Sequence, residues 1–241
     1  MSDTFYTQSG HSRRDFMGKT LKLAVVGGLG GFAIFSGCKD KEEGDGQKVS
    51  PPEDLMQEHG LLNRILLIYD ACKMHLVNKE SFPRETLVEA ADIMRAFVED
   101  YHEKQEEDYL FPRFMKAGQL TELVQVLLRQ HNAGRALTSQ VLQLGGIANA
   151  SDTENQKLIK VLSDFNYMYR PHEAREDTIL FPAFRKLVST HEYNSLGEEF
   201  EKNEQKHFGK DGFETMVAKV AAIEQTLGIY DLSNFTPVVT I

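Results

Sequence analysis

Two stretches of thirteen residues share one pattern, and their starting points are 70 positions apart in the sequence. The copy that begins at His102 reads HEKQEEDYLFPRF, and the copy that begins at His172 reads HEAREDTILFPAF. The two align without a gap as H-E-x-x-E-x₃-L-F-P-x-F. Similar dipeptides lie upstream of both copies, Glu58-His59 before the first and Gln130-His131 before the second. The chain is therefore predicted to contain one structural unit twice.

Apolar residues recur at helical spacing almost throughout the chain from residue 53 onward. The pattern predicts four long helices, at about 53–78, 83–118, 120–144 and 153–188, and then a fifth amphipathic segment at about 191–227 before an irregular tail. No run alternates with period two for long enough to build a sheet. The predicted fold is all-α: an antiparallel, up-and-down four-helix bundle over residues 53–188, with an additional C-terminal helix and tail over 189–241.

Four histidines are predicted to lie at one level of this bundle. A helix rises about 1.5 Å per residue, so the roughly 19 residues from the first histidine to the turn, and the similar number back, return the chain to the same height. The segment from His131 to His172 has a similar number of residues on either side of its turn. We therefore expect one layer to contain His59, His102, His131 and His172.

Two glutamates are expected in the same layer. Glu106 and Glu176 follow His102 and His172 by four residues, so each shares a helix face with its histidine. Because buried carboxylates without a partner are costly, inward glutamates beside histidines imply a cation. Six nitrogen and oxygen ligands suit a pair of iron ions bridged by the carboxylates. The zinc-protease motif H-E-x-x-H is excluded, since Glu106 stands at the place of its second histidine.

These motifs resemble the hemerythrin-like (HHE cation-binding) family over about residues 53–188. The resemblance implies a four-helix bundle with a non-haem di-iron centre that binds oxygen, handles nitric oxide, or senses or delivers iron. Carried over position by position, the two iron ions would be held by His59, His102, Glu106, His131, His172 and Glu176.

The sequence departs from the oxygen-carrying hemerythrins in two places. Their third helix has two histidines at i and i+4, whereas here His131 is followed by Arg135. Their fourth helix has an aspartate at i+5, where this chain has Glu176 at i+4 from His172. One iron would lose a ligand, which favours reactive chemistry or sensing over plain oxygen transport.

Three further residues are candidates for an extra ligand or for the surroundings of the centre. Glu103 could fill the vacant position, or could be a solvated or outer hydrogen-bonding group. Tyr109 lies seven residues after His102 and is expected on the inward face, as a hydrogen-bond donor near the centre or as a core residue. His207 lies in the additional C-terminal segment and could reach the site from there.

The first 37 residues are predicted to be an export signal. The segment from Ser12 to Lys19 resembles a twin-arginine signal, and a short apolar run follows it. The run ends in Phe35-Ser36-Gly37-Cys38, which resembles a lipobox, so we expect an acylated Cys38 and a flexible tether over 38–52. The protein would then lie at the periplasmic or extracytoplasmic face of the membrane. The alternative is an uncleaved membrane anchor.

Composition narrows the function classes further. A net charge of −9 and an isoelectric point near 5.4 argue against a nucleic-acid partner. Two cysteines cannot make a disulfide framework or a four-cysteine metal site.

Our leading hypothesis is an exported di-iron protein that binds dioxygen, nitric oxide or peroxide. The alternatives are a di-iron oxidoreductase that reduces peroxide or nitric oxide with an electron-transfer partner, and an iron donor or store.

Overall fold

A computed structural model describes residues 50–239, and this part of the chain contains six helices and no strand. The predicted all-α class and helical bundle are confirmed. The export signal over 1–37 and most of the tether lie outside the described residues. The tether is predicted to reach residue 52, but the first helix already begins at Pro51, with Ser50 as its N-cap. Within residues 50–239, no helix combines the length and the apolar character that crossing a membrane requires.

The six helices are numbered here in chain order. They are α1 (Pro51–Asn78), α2 (84–117), α3 (Thr121–Gly145), α4 (152–187), α5 (Thr190–Phe208) and α6 (Gly212–Thr226). Two of them contain π-helical stretches: Met94–His102 and Glu106–Leu110 in α2, and Glu176–Leu180 in α4.

The C-terminal segment consists of two helices, so the single helix predicted at 191–227 is wrong. The break is at Gly209, whose φ of 83° is accessible mainly to glycine. The chain then re-enters a helix at Gly212, where an added Cβ would lie 2.7 Å from the Cβ of Phe208. Two glycines therefore shape this turn, one through its backbone angles and one through its small size.

The first four helices pack in a ring in which each contacts its two neighbours. α1 lies against α2 and α4, and α3 lies against the same two helices. Residues 79–83, 118–120 and 146–151 connect them, and connections this short join antiparallel neighbours. α1 and α2 are called the first hairpin below, and α3 and α4 the second hairpin.

Two separate groups of apolar side chains fill the bundle. The large core draws on α1 to α4 and on α6, with Tyr69, Phe97 and Phe165 among its buried members. The small core draws on α1 to α5, with Phe114 and Phe184 at its centre. Along each of α1 to α4, the predicted ligands lie between residues of the large core and residues of the small core. The polar layer is therefore enclosed by apolar material at both ends.

Candidate metal centre

The structure brings all six predicted ligands together in the polar layer. Each is at most 4% exposed. They form two groups whose nitrogen and oxygen atoms lie within 4.8 Å of one another and could hold a metal ion. The His59 cluster consists of His59, His102 and Glu106; the His131 cluster consists of His131, His172 and Glu176.

Each carboxylate lies between histidines of both hairpins. The Oε2 atom of Glu106 is 3.9 Å from Nε2 of His102 on its own helix and 3.5 Å from Nε2 of His131 on α3. The Oε2 atom of Glu176 is 3.2 Å from Nε2 of His172 and 3.4 Å from Nε2 of His59 on α1. The two clusters therefore share their glutamates and form one centre.

The four imidazoles are oriented by oxygen atoms on their outer side. In every case Nδ1 faces an oxygen acceptor, and Nε2 faces the centre. The pairs are His59 with Asp177 at 2.8 Å, His102 with Glu58 at 2.8 Å, His131 with Glu107 at 3.0 Å and His172 with Gln130 at 3.0 Å. An imidazole whose Nδ1–H donates to such an acceptor keeps the lone pair on Nε2, which is the form that binds a metal.

Several atoms that face the centre lack a hydrogen-bond partner although they are buried. They are the Nε2 atoms of His59 and His131 and both carboxylate oxygens of Glu106 and Glu176. Buried polar atoms are nearly always paired in proteins, and an unpaired carboxylate is especially costly. Cations held by the two clusters would satisfy all six atoms, so the residues present fit a metal centre.

The electrostatics of the centre also favour a cation. Burial and the neighbouring Glu176 carboxylate hold the pKa of Glu106 well above its usual range. Burial acts to raise the pKa of Glu176 as well, but the imidazoles of His172 and His59 outweigh it and keep that pKa low. Burial lowers the pKa of His131 to about 4, so this imidazole is neutral at pH 7, as a metal ligand must be. The two buried carboxylates repel each other, and a cation between them would allow both to be charged.

The L-F-P segments that follow the two glutamates have a local structure of their own. Glu106 and Glu176 each begin a π turn, in which the N–H of Phe111 or Phe181 donates to the glutamate carbonyl five residues earlier. Single π turns in α-helices are frequent at functional sites. Phe111 then stacks on His131 and Phe181 on His59, each with ring centroids 5.5 Å apart. The phenylalanines of these segments therefore pack in the core and each covers one imidazole of the opposite hairpin.

Glu103 lies outside the two clusters. It is 1% exposed, so the solvated alternative is wrong. Its carboxylate accepts a hydrogen bond from the Tyr169 hydroxyl at 2.8 Å and lies 2.7 Å from the Arg135 guanidinium. It is 4.0 Å from Nδ1 of His131, the nitrogen that points away from the centre. Glu103, Glu107 and His131 also form a possible metal-binding group, but Arg135 already contacts both carboxylates at 2.7 Å.

The other two candidates lie against or on α5. The ring of Tyr109 contacts Phe200 of α5, and its hydroxyl accepts a hydrogen bond from Asn203 at 3.3 Å. Tyr109 is half-buried and packs against the small core, which agrees with the predicted core residue and not with a hydrogen-bond donor at the centre. His207 is exposed on α5, where Nδ1 lies 2.8 Å from the carbonyl oxygen of Asn203. Neither residue belongs to the metal-binding groups of the described chain.

The four residues that orient the imidazoles were not among the predicted site residues. They belong to the repeat, because an acidic residue directly follows each ligand glutamate, Glu107 in one copy and Asp177 in the other. Glu58 and Gln130 stand at matching places before His59 and His131. The sequence shows their matching positions in the repeat. It does not show their contacts, because each side chain contacts a histidine on a different helix.

The chain belongs to the hemerythrin family: the model of the hemerythrin HHE cation-binding domain matches residues 50–184. This family assignment agrees with the resemblance inferred from the repeated motif. Its range ends within α4, so α5 and α6 lie beyond the matched domain.

Curated relatives extend the similarity to nearly the whole chain. Uncharacterised proteins of Mycobacterium tuberculosis and Mycobacterium bovis are 42% identical over 233 residues, which covers 92% of this chain and 91% of theirs. Coverage this high cannot be reached within residues 50–241 alone, so the alignment includes much of the N-terminal segment. No solved structure matches the chain significantly.

Proposed function

We propose that this protein holds two non-haem iron ions in the polar layer and binds dioxygen, or a related small molecule such as nitric oxide or peroxide, beside them. The observation that supports this most directly is the position of Glu106 and Glu176. Each carboxylate contacts histidines of both hairpins at 3.2–3.9 Å, so each can serve two ions. His59 and His102 would hold one ion, and His131 and His172 the other.

The donor set favours iron among the common metal ions. Four imidazoles and two carboxylates are ligands that iron accepts readily, and carboxylate-rich centres in helix bundles are typical of paired iron ions. When bound, such a pair supplies a redox-active site with coordination positions open to a small molecule. The missing second histidine on α3 fits this role, because the side chain of Arg135 contacts Glu103 and Glu107 instead of the centre.

The protein surroundings would keep water away from the bound molecule. The large core and the small core enclose the layer at both ends, and Phe111 and Phe181 lie directly on two of the imidazoles. Exclusion of water limits proton leakage and side reactions at such a site. The outer acceptors Glu58, Asp177, Glu107 and Gln130 hold the imidazoles in the orientation that binding requires.

Turnover of peroxide or nitric oxide is a second candidate function. Arg135 favours it, because a centre with one protein ligand fewer than an oxygen carrier is more open to reaction. Sustained consumption of peroxide or nitric oxide with a reductant would identify the enzyme. Binding of dioxygen without turnover would identify the carrier or sensor.

Metal analysis together with optical spectroscopy tests the leading function. We expect about two irons per chain, and a new visible absorption band when oxygen is added to the anaerobically reduced protein. The variant His131→Ala should lose the band, and His75→Ala, which removes a histidine at the far end of α1, should keep it. A protein that purifies with zinc and shows no spectral change would contradict the proposal.

We also propose that the protein is exported and anchored by a lipid at Cys38. The twin-arginine-like segment supports this, since that pathway carries folded proteins, often with their cofactor. Cys38→Ala should move the protein from the membrane fraction to the soluble one. Unchanged retention in the membrane would favour an uncleaved N-terminal helix instead.

A further inference from the structure

The two clusters have the same ligands but different surroundings. The repeat relates residues of α1 to residues of α3 at an offset of 72, and residues of α2 to residues of α4 at an offset of 70. Under these offsets every ligand of the His59 cluster has an identical counterpart in the His131 cluster. The same offsets also relate the residues that contact the ligands from their outer side. These outer residues differ in charge between the two halves.

The first difference concerns the acceptor of one histidine in each cluster. Nδ1 of His102 faces the carboxylate of Glu58 at 2.8 Å. Nδ1 of His172, its counterpart, faces the amide oxygen of Gln130 at 3.0 Å. A carboxylate acceptor makes the imidazole a stronger donor to a metal than a neutral amide does. The His59 cluster therefore has the more basic ligand at this position.

The second difference concerns the cations that contact the acceptor of one histidine. Arg135 of α3 contacts Glu107 and Glu103 at 2.7 Å, and Lys104 also pairs with Glu107. Glu107 is the acceptor of His131, so part of its negative charge is balanced by these cations. The counterpart of Arg135 on α1 is the neutral Asn63, whose amide contacts Glu173.

Both differences make the surroundings of the His59 cluster more negative than those of the His131 cluster. The histidines of the His59 cluster face two carboxylates, Asp177 and Glu58. Those of the His131 cluster face one neutral amide and one carboxylate that is shared with Arg135 and Lys104. A metal ion bound by the His59 cluster would therefore lie in a more negative environment. Both this environment and the more basic imidazole strengthen metal binding.

We propose that the two metal positions are inequivalent, and that the His59 cluster binds its ion more tightly and fills first. The residues Glu58, Gln130 and Arg135 set this order as positioning residues, since they act through the imidazoles and their acceptors. The inference rests on the proposed two-metal centre and adds the order of loading to it.

Two single-cluster variants measure the difference directly. His172→Ala keeps all three ligands of the His59 cluster, and His102→Ala keeps all three ligands of the His131 cluster. Anaerobic calorimetric titration with Fe(II) should show that His172→Ala binds its ion at least about tenfold more tightly than His102→Ala. Equal affinities, or the reverse order, would overturn the inference.

Exchange of the acceptors Glu58 and Gln130 tests whether they cause the difference in Fe(II) affinity. In the His172→Ala background, Glu58→Gln should weaken Fe(II) binding by roughly 10–100-fold, and in the His102→Ala background, Gln130→Glu should strengthen it by a similar factor. Gln130 is half-buried and the replacement has the same size, so this variant tests the cause even if Glu58→Gln folds poorly. Arg135→Asn should also strengthen binding in the His102→Ala background.

Glu80→Gln is the matched control. It removes the carboxylate that faces Nδ1 of His75 at 3.0 Å, an exposed pair at the far end of α1, and should leave both affinities unchanged. If the unsubstituted protein binds no iron, the proposed function fails and the inference with it. If the protein binds two ions whose affinities do not respond to the exchange, the inference alone fails. The visible spectrum of Co(II) in the same variants gives a second readout of each position.

Discussion

The first hairpin and the second hairpin of this bundle agree in their inner residues and differ in their outer ones. Each supplies two histidines and a glutamate to the centre, at matching positions of the repeat. Outside these six, Glu58 stands against Gln130, and Asn63 stands against Arg135. The inner residues of both halves face the same shared space, so a change in one half disturbs the other. Each outer acceptor contacts a single imidazole, so the outer residues can differ without breaking the centre.

The largest effect is expected where the halves depend on each other. Glu106→Gln and Glu176→Gln should each weaken the binding of both metal ions, because each carboxylate contacts histidines of both hairpins. The loss should exceed the roughly 10–100-fold expected for an outer residue. Metal analysis after dialysis measures it. A variant that keeps one ion at full affinity would show that the carboxylates are not shared.

The phenylalanines that cover the histidines should have equal effects in the two halves. Phe111→Ala and Phe181→Ala each remove a buried ring that stacks on an imidazole, and each should lower the free energy of unfolding by about 3–5 kcal/mol. Urea unfolding without metal measures this. Tyr167→Ala, at a side chain that is 85% exposed, serves as the control and should change stability by less than about 0.5 kcal/mol. A large inequality between the two phenylalanines would show that the small core is not symmetric.

A third prediction concerns a contact between the two hairpins that the repeat does not duplicate at its matching positions. The Tyr169 hydroxyl reaches Glu103 by passing over Gly134, where an added Cβ would lie 2.0 Å from the hydroxyl oxygen. The counterpart of Gly134 in the first hairpin is Leu62. Gly134→Ala should therefore destabilise the protein by about 1–3 kcal/mol.

Gly60 of α1 provides the matched control for this substitution. It has open space around its Cα, and Gly60→Ala should stabilise the helix by about 0.5–1 kcal/mol. Thermal unfolding of the two variants side by side gives the comparison. A Gly134→Ala variant as stable as Gly60→Ala would mean that Tyr169 can move aside without cost.

The smallest effect is expected at the helix starts. α4 begins with a capping box in which Ser151 accepts from the N–H of Glu154, whereas α2 begins after Pro83 without a side-chain cap. Ser151→Ala should cost about 1 kcal/mol of unfolding free energy. Ser195→Ala, at an exposed position inside α5, should be neutral or slightly stabilising. Equal results for the two serines would show that the cap does not contribute.

The fold and the inner residues could be predicted because helical rise is constant. Equal numbers of residues on either side of a turn place His59 and His102 at one level, whatever the details of packing. The orienting residues could not be predicted in this way. Glu58 precedes His59 but contacts His102 on another helix, and such a contact depends on how the two helices are rotated against each other.

The errors have local physical causes. Tyr109 lies seven residues after His102, and in a regular α-helix it would return to nearly the same face. The π turn at Glu106–Leu110 lies between them and changes the angle per residue, so Tyr109 faces α5 instead. The break at Gly209 was missed because the apolar spacing continues across it. The export signal and lipid anchor remain predictions.

The two π turns carry information about how this chain arose. A hydrogen bond to the fifth residue encloses one residue more than a bond to the fourth, so a π turn corresponds to an α-helix that has gained a residue. Here the extra residue occurs after both Glu106 and Glu176, and the two segments still align without a gap. If the halves descend from one ancestral hairpin, the insertion is older than the duplication that joined them.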